Sequence, residues 1–444
     1  AIFVIPTGEQ TIQTSQESTY IGTGAFFSIT PQEVITTDDG LTGTISQWAN
    51  ISTLYGNIII DSERGKIFML ADKLDEITKY GLSKFMDSRM RLELKKQLNR
   101  LYPSSIQFTN YDNPTNIDGI GYVCLQDKQF NRLIISKKDF KLKDESLFMG
   151  EYPSDASTAV GKIYTYKGKF FVLTSSAADH DSINWPATPV LPASTYAKRI
   201  YLTDKTYFYN HSFTVSYNPL KNQWKSFHSW IPQVGFNIGN SVFSANNTTG
   251  NSRYLYLHND GDYGTYYRTA VKGEEAKDPF IIETVANPIP VKPAVYDILE
   301  LIGETKKKDV ATGELSDFGD TTFSDMIVYD SNQCSGNVSL DLPTGFTDLN
   351  DTVRKVEKGW RINNYRDLIN NKNFPIWLGA INNNTGPYLV DKVLNNSNID
   401  SSKAWYRKER FRDKWIVYRL IHDNVNATNI NLSGALITYR ISNR

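Results

Sequence analysis

Over much of this chain, apolar residues recur at every second position, the period of a strand with one buried face. In "FTVSYNPLKNQWKSFHSW" (213–230), Phe213, Val215 and Tyr217 share a face. A polar turn, Asn218-Pro219-Leu220-Lys221-Asn222, follows, and Trp224, Phe227 and Trp230 open a second strand. The same strand–turn–strand pattern appears in "YGNIIIDSERGKIFML" (55–70), "GIGYVCLQDKQFNRLIIS" (119–136), "GKIYTYKGKFFVLTS" (161–175) and "SRYLYLHNDGDYGTYY" (252–267). Each turn carries Asp, Asn or Gly, which accept the left-handed or Asx-turn backbone a hairpin needs. Successive turns lie roughly 40–65 residues apart, near the ~40–50 of a four-stranded propeller blade. The expectation is all-β: propeller-like blades over 51–270, with aromatic rings filling the wedges between blades. A set of hairpins in a sandwich is the alternative.

One segment breaks the period. In "DEITKYGLSKFMDSRMRLELKKQLNRLYP" (75–103), Leu82, Phe85, Met86, Met90, Leu94 and Leu98 follow a helical spacing and Pro103 ends it. This predicts a helix inserted among the blades, with Arg89, Arg91, Lys95, Lys96 and Arg100 mostly off the apolar stripe. Beyond the charged "VKGEEAKDPF" (271–280), strands recur at 280–287, 325–330, 337–342, 414–422 and 434–442, predicting a second, sandwich-like β domain over 271–444. Residues 303–320 are too charged for a core and are expected to form a loop or arm. The Asn-rich 381–402 suits a solvated turn or a partner contact. Residues 1–50 are expected to complete a propeller or to contact a preceding segment.

Composition narrows the chemistry. The chain has 444 residues with 48 basic and 48 acidic side chains, so the whole molecule has no bias toward polyanions. Two cysteines, Cys124 and Cys334, are no disulfide framework and read as free buried thiols. No run of eighteen apolar residues is present for a membrane-spanning helix. The N-terminal "AIFVIPTGEQ" lacks the basic n-region of a signal peptide and reads as a chain whose beginning was removed. The five histidines never stand at metal-ligand spacing, and GxSxG, HExxH and P-loop motifs are absent. The glycine pairs at 22–26 and 119–122 lack the strand-to-helix context of a phosphate cradle. "NDGD" (259–262) reads as a hairpin turn before it reads as a calcium loop. The expectation is no enzyme, no metal and no cofactor.

The ordered series "YGNIIIDSERGKIFML…EITKYGLSKF", "GIGYVCLQDKQFNRLIISKKDF", "FTVSYNPLKNQWKSFHSW", "RYLYLHND", "PFIIETVANP" and "KERFRDKWIVYRLIHDNVNATNINLSGALITYRIS" resembles the tail muzzle (nozzle) protein of crAss-like, short-tailed bacteriophages. The resemblance runs from about residue 50 to the end and corresponds to the C-terminal part of a longer product. It implies a structural virion protein of the tail, made in the host cytoplasm and built into a ring, with six copies as the expected number. That ring would lie below the portal and adaptor, against tail hub proteins and the upstream part of the same gene product. DNA and cargo proteins would pass through it. No catalytic residue carries over.

The basic-aromatic run "WYRKERFRDKWIVYR" (405–419) supplies the candidate ring contacts: Arg407, Lys408, Arg410, Arg412 and Lys414. A tail protein that binds or degrades host glycans is the competing expectation, with Trp185, Trp224 and Trp230 as stacking platforms.

Overall fold

The computed structural model describes residues 43–102, 111–151, 160–175, 196–247, 253–260, 280–317, 322–340, 353–367, 407–422 and 428–442, apart from scattered positions, together with backbone segments before residue 43 and within 268–277. The architecture is all-β with a short helical insertion. The chain divides into two units, Ala1–Asn259 and Asp260–Arg444, so the boundary falls before the expected residue 270.

In the first unit, β1 (Asn50–Thr53), β2 (Gly56–Asp61), β3 (Lys66–Leu70) and β4 (Leu74–Glu76) form an antiparallel meander in chain order. The β2–β3 turn is the predicted one. Asp61 Oδ1 accepts the Arg64 N–H at 3.2 Å, and Gly65 adopts φ 69°. A Cβ on Gly65 would lie 2.6 Å from Asp87 Cα, so glycine also admits the helical insertion.

That insertion is not one helix. Residues 74–76 belong to β4, and α1 (Ser83–Arg89) and α2 (Glu93–Leu101) are separated at Met90–Leu92. The break contains no proline or glycine; its cause comes from the next sheet. Lys137 Nζ donates to the carbonyls of Arg89 and Arg91 at 2.6 and 2.5 Å, and the Tyr122 hydroxyl donates to the Met90 carbonyl. Asp139 accepts the N–H groups of Glu93 (2.7 Å) and Leu94 (3.4 Å). A cation thus meets the carbonyl end of α1 and an anion the amide end of α2, as the helix dipoles favour. Lys137 and Asp139 pair at 2.7 Å, and both side chains are fully buried.

β5 (Gly121–Asp127) and β6 (Arg132–Lys138) form the second predicted hairpin, with Asp127 Oδ1 accepting the Gln129 and Phe130 amides at the turn. β7 (Phe140–Leu142) follows. The chain then builds a separate sheet from β8 (Phe148–Glu151), β9 (Ile163–Tyr166), β10 (Lys169–Leu173) and β11 (Ala197–Ile200), in which only the β8–β9 pairing is parallel. It returns through β12 (Phe208–Asn210), the partner of β7, to the fourth predicted hairpin, β13 (Phe213–Asn218) and β14 (Gln223–His228). β13 pairs with β6, giving the sheet order β5-β6-β13-β14. Two of the five hairpins therefore share a sheet, and the expectation of one hairpin per blade does not hold for them. The reason is burial: β6 and β13 are buried along nearly their whole length, so each needs a neighbour on both edges.

A three-stranded sheet, β15 (Val234–Ile238), β16 (Ser241–Asn247) and β17 (Arg253–His258), completes the unit. β17 is the first strand of the fifth predicted hairpin and pairs backward with β16. The turn's Gly261 and Asp262, and the stretch that follows to residue 267, lie outside the described residues.

The aromatics around 213–230 serve this packing. Tyr217 and Trp224 are cross-strand partners with rings 5.0 Å apart. Phe85 of α1 meets Phe213 and Phe227 edge-on, both at 5.1 Å. Trp230 lies on His258 of β17 at 4.3 Å. The rings thus join the hairpin to α1 and to β17.

In the second unit, β18 (Phe280–Ala286), β19 (Ala294–Lys308), β20 (Leu315–Asp317), β21 (Asp325–Tyr329), β22 (Cys334–Ser339), β23 (Val353–Val356), β24 (Gly359–Ile362), β25 (Arg412–Asp413), β26 (Ile416–His422) and β27 (Thr428–Ile441) form two sheets. The first has the order β18-β26-β21-β22. The second is built on the long β19, with β27 along one edge and β25, β24 and β20 in succession along the other; β23 pairs with β24. Tyr296, Leu299, Leu301, Trp360 and Ile362 of the second sheet share one core with Met326, Val328, Ile416, Tyr418 and Leu420 of the first. The charged stretch 303–320 is not a loop throughout. Its first residues finish β19, and Lys306–Lys308 pair with Leu315–Asp317 across a turn closed by Asp309. Alternation reconciles the charge with the strand, because Thr305 is buried while Glu304 and Lys306 face solvent.

Candidate assembly surface

The C-terminal strand β27 is the most exposed long element among the described residues. It pairs with β19 from Ala294↔Ile441 to Lys307↔Thr428, and among the described residues its other edge has no strand partner. Fourteen residues make an edge about 46 Å long. Regular alternation over 434–441 puts Leu436 on one face and Tyr439 and Ile441 on the other. All three are large apolar side chains left exposed, Leu436 at 56% and Ile441 at 50%. A long, unpaired edge that is apolar on both faces is a template for strand addition by another chain.

The sequence-predicted contact residues lie at the base of this ribbon, and the structure separates their roles. Phe411 is fully buried, and its carbonyl accepts the Tyr296 N–H at 3.1 Å. The Gln333 side chain holds the flanking backbone in both directions: Nε2 donates to the Arg410 carbonyl (3.2 Å), and Oε1 accepts the Arg412 N–H (2.6 Å). Asp367 accepts the Cys334 N–H at 3.2 Å, and its own N–H reaches the Glu409 carbonyl at 2.9 Å. The segment 409–412 is thereby fixed to β19 and β22.

With its backbone held, Arg410 turns onto Asp297. Arg440 of β27 meets the same carboxylate from the other side, at 2.7 and 3.1 Å. Asp297 sits where the β19–β27 register shifts between Tyr296 and Ile298. The bulge turns its side chain toward both arginines. These contacts raise the Arg440 pKa, chiefly through its hydrogen bonds with Asp297. Arg410 is therefore an intramolecular clamp that positions β27. Arg407, Arg412 and Lys414 are exposed and Lys408 is half-buried.

Other predicted features resolve as structure. Arg419 is buried in β26, opposite Glu283 of β18 at 3.8 Å. His211 lies 3.2 Å from Arg89 Nη1, and burial lowers its pKa to about 3. His258 bonds Ser244 at 2.7 Å inside the β16–β17 pair, and burial lowers it to about 4, as it does His228. Cys124 and Cys334 are free, and burial raises both thiols to about 12. Among the described residues no group of three or more His, Cys, Asp or Glu is arranged to hold a metal. Among the described residues no helix is long and apolar enough to cross a membrane. Trp224 and Trp230 pack against core clusters, while Trp185 and the Asn-rich 381–402 lie outside the described residues.

Sequence reasoning singled out the basic run and passed over the β27 edge. The signal was present: "GALITYRI" carries apolar residues on both faces of a strand, whereas a solvated edge has one polar face. Compared with known proteins, the chain matches no family model and no curated protein.

Proposed function

We propose that this chain is a non-enzymatic structural subunit of a bacteriophage tail. Copies form a ring-shaped nozzle that closes and conducts the exit channel for DNA and cargo proteins. The observation carrying the reading is the β27 edge, where backbone hydrogen-bonding groups and apolar side chains on both faces stand ready for a second chain. The Asp297 clamp supports the same role by holding the root of the edge rigid before assembly, which lowers the ordering cost of association. The ordered resemblance to the muzzle proteins supplies the virion context. In this reading the second unit makes the ring contacts, and the exposed Arg407, Arg412 and Lys414, with the half-buried Lys408, form a basic rim that meets acidic groups of the neighbouring copy. Electron micrographs of the purified full-length chain test it. Closed rings are the expected result, and a field of single monomers at micromolar concentration overturns it.

A further inference from the structure

The turn that joins β21 to β22 holds more than its own two strands. Asp330 Oδ1 accepts the Asn332 and Gln333 amides, and the Asp330 N–H donates to the Gln333 carbonyl at 3.0 Å. Gln333, placed by those bonds, grips the Arg410 carbonyl and the Arg412 N–H with its side chain. Its Nε2 also lies 3.4 Å from Asp367 Oδ2, while Asp367 Oδ1 accepts the Cys334 N–H. The segment so held presents Arg410 to Asp297, and Asp297 holds Arg440 of β27. A line of contacts thus runs from Asp330 to the assembly edge.

At its origin stands a carboxyl group in a poor setting for charge. Asp330 is 1% exposed, and its Oδ2 has no partner among the described residues. The titratable groups that bear on it are Asp413 of β25, Asp367 of the segment after β24, Cys334 of its own turn and Tyr296 of β19, and none of these is a cation. The arginines of the adjoining segments are directed elsewhere. Arg410 is on Asp297, Arg412 is exposed, and Arg366 donates to the Asn363 and Tyr365 carbonyls. Ionisation of Asp330 therefore places a buried charge beside two other carboxylates, and swinging residues 330–334 into water relieves it.

We propose that Asp330 is a pH-sensitive latch on β27: protonated, it keeps the turn seated and the root of the edge fixed, and ionised, it releases Gln333 and with it the 409–412 segment. The consequence for assembly rests on the ring reading: rings are favoured in mildly acidic solution and weakened in alkaline solution. The latch itself does not depend on that reading. Burial raises the Asp330 pKa to about 7, against about 4 for a solvated aspartate, so the seated turn binds the proton more tightly than the open one. Opening therefore becomes easier as pH rises from about 4 to 7, by about tenfold per pH unit, and levels off above 7.

The test is amide hydrogen exchange on the dilute, unassembled full-length chain at pH 5 and pH 8, with wild type beside Asp330→Asn. The amides that report the latch are those of Gln333, Cys334, Asp367 and Arg412, each hydrogen-bonded within it. After division by the intrinsic exchange rate, their opening should rise by about tenfold or more from pH 5 to pH 8 in wild type and stay level in Asp330→Asn. Ring formation, scored separately by light scattering, should fall over the same range in wild type and not in the variant. Opening of the wild-type latch that does not change with pH overturns the proposal. So does an equal rise in Asp330→Asn, and so does a latch that opens while ring formation stays constant. Rings that form at no pH count against the ring reading, and the exchange result then decides the latch by itself.

Discussion

Asp330 sits at the turn between β21 and β22 with its side chain 1% exposed. Oδ1 accepts the Asn332 and Gln333 amides at 2.8 and 2.7 Å, while Oδ2 has no partner among the described residues. Burial raises its pKa to about 7, outweighing those two amide bonds. A folded-state pKa above the unfolded value of about 4 means that the native state favours the protonated form. The contribution of this group is then fully present below pH 4 and is lost as pH rises through 7. Asp330→Asn should remove that slope, raising stability at pH 8 relative to wild type by on the order of a few kcal/mol and changing little at pH 4. Denaturant unfolding of both proteins at the two pH values measures it. The histidines run the other way. His211, His228 and His258 are held neutral, with pKa values near 3, 4 and 4, so each loses its contribution as pH falls below the unfolded value of about 6.5. In NMR titrations none of the three should change protonation above pH 5.5. A titration near 6.5 at any of them would show that residue to be solvated. None of this was legible in the sequence, where a lone aspartate in a polar turn and five scattered histidines carry no sign of their burial.

At the scale of elements, turn chemistry was the most legible part. Asp61, Asp127 and Asn218 close their turns with side-chain acceptors, as their residue types implied. Alternation located the strands of 213–228, 280–286 and 416–422. It could not say which hairpins would share a sheet, because pairing between β6 and β13 depends on two strands separated by seventy-odd residues. Nor could a 3.6-residue period show that the helix would break at Met90–Leu92, since the break is made by Lys137 and Asp139. Lys137→Met alone should destabilise the first unit by about 3–5 kcal/mol, because it leaves a buried carboxylate without its cation. Lys137→Met combined with Asp139→Leu should recover part of that loss, leaving the unpaired helix-end groups as the remainder. Urea unfolding of the single and double variants checks the order, and equal losses would mean that the pair contributes nothing as a pair.

At the scale of the whole molecule, the zero net charge and the two β-rich units were readable from composition and pattern. The assembly edge was readable only in part: apolar residues on both faces of "GALITYRI" stand in the sequence, but their exposure is a property of the fold around the strand. Leu436→Lys combined with Ile441→Lys places charges on both faces of β27, the device by which natural edges avoid pairing. The double variant should fold normally and remain monomeric in light scattering. Raised salt should weaken assembly only modestly, because backbone pairing and apolar burial are not screened. The central claim is that the second unit builds the ring through β27. Cross-linking mass spectrometry on rings reassembled from mixed isotope-labelled and unlabelled copies tests it most directly, because links between copies are then separable from links within one. The account predicts that inter-copy links concentrate in residues 280–442, including Lys306–Lys308 beside the start of β27. Inter-copy links confined almost entirely to residues 43–260 would contradict it.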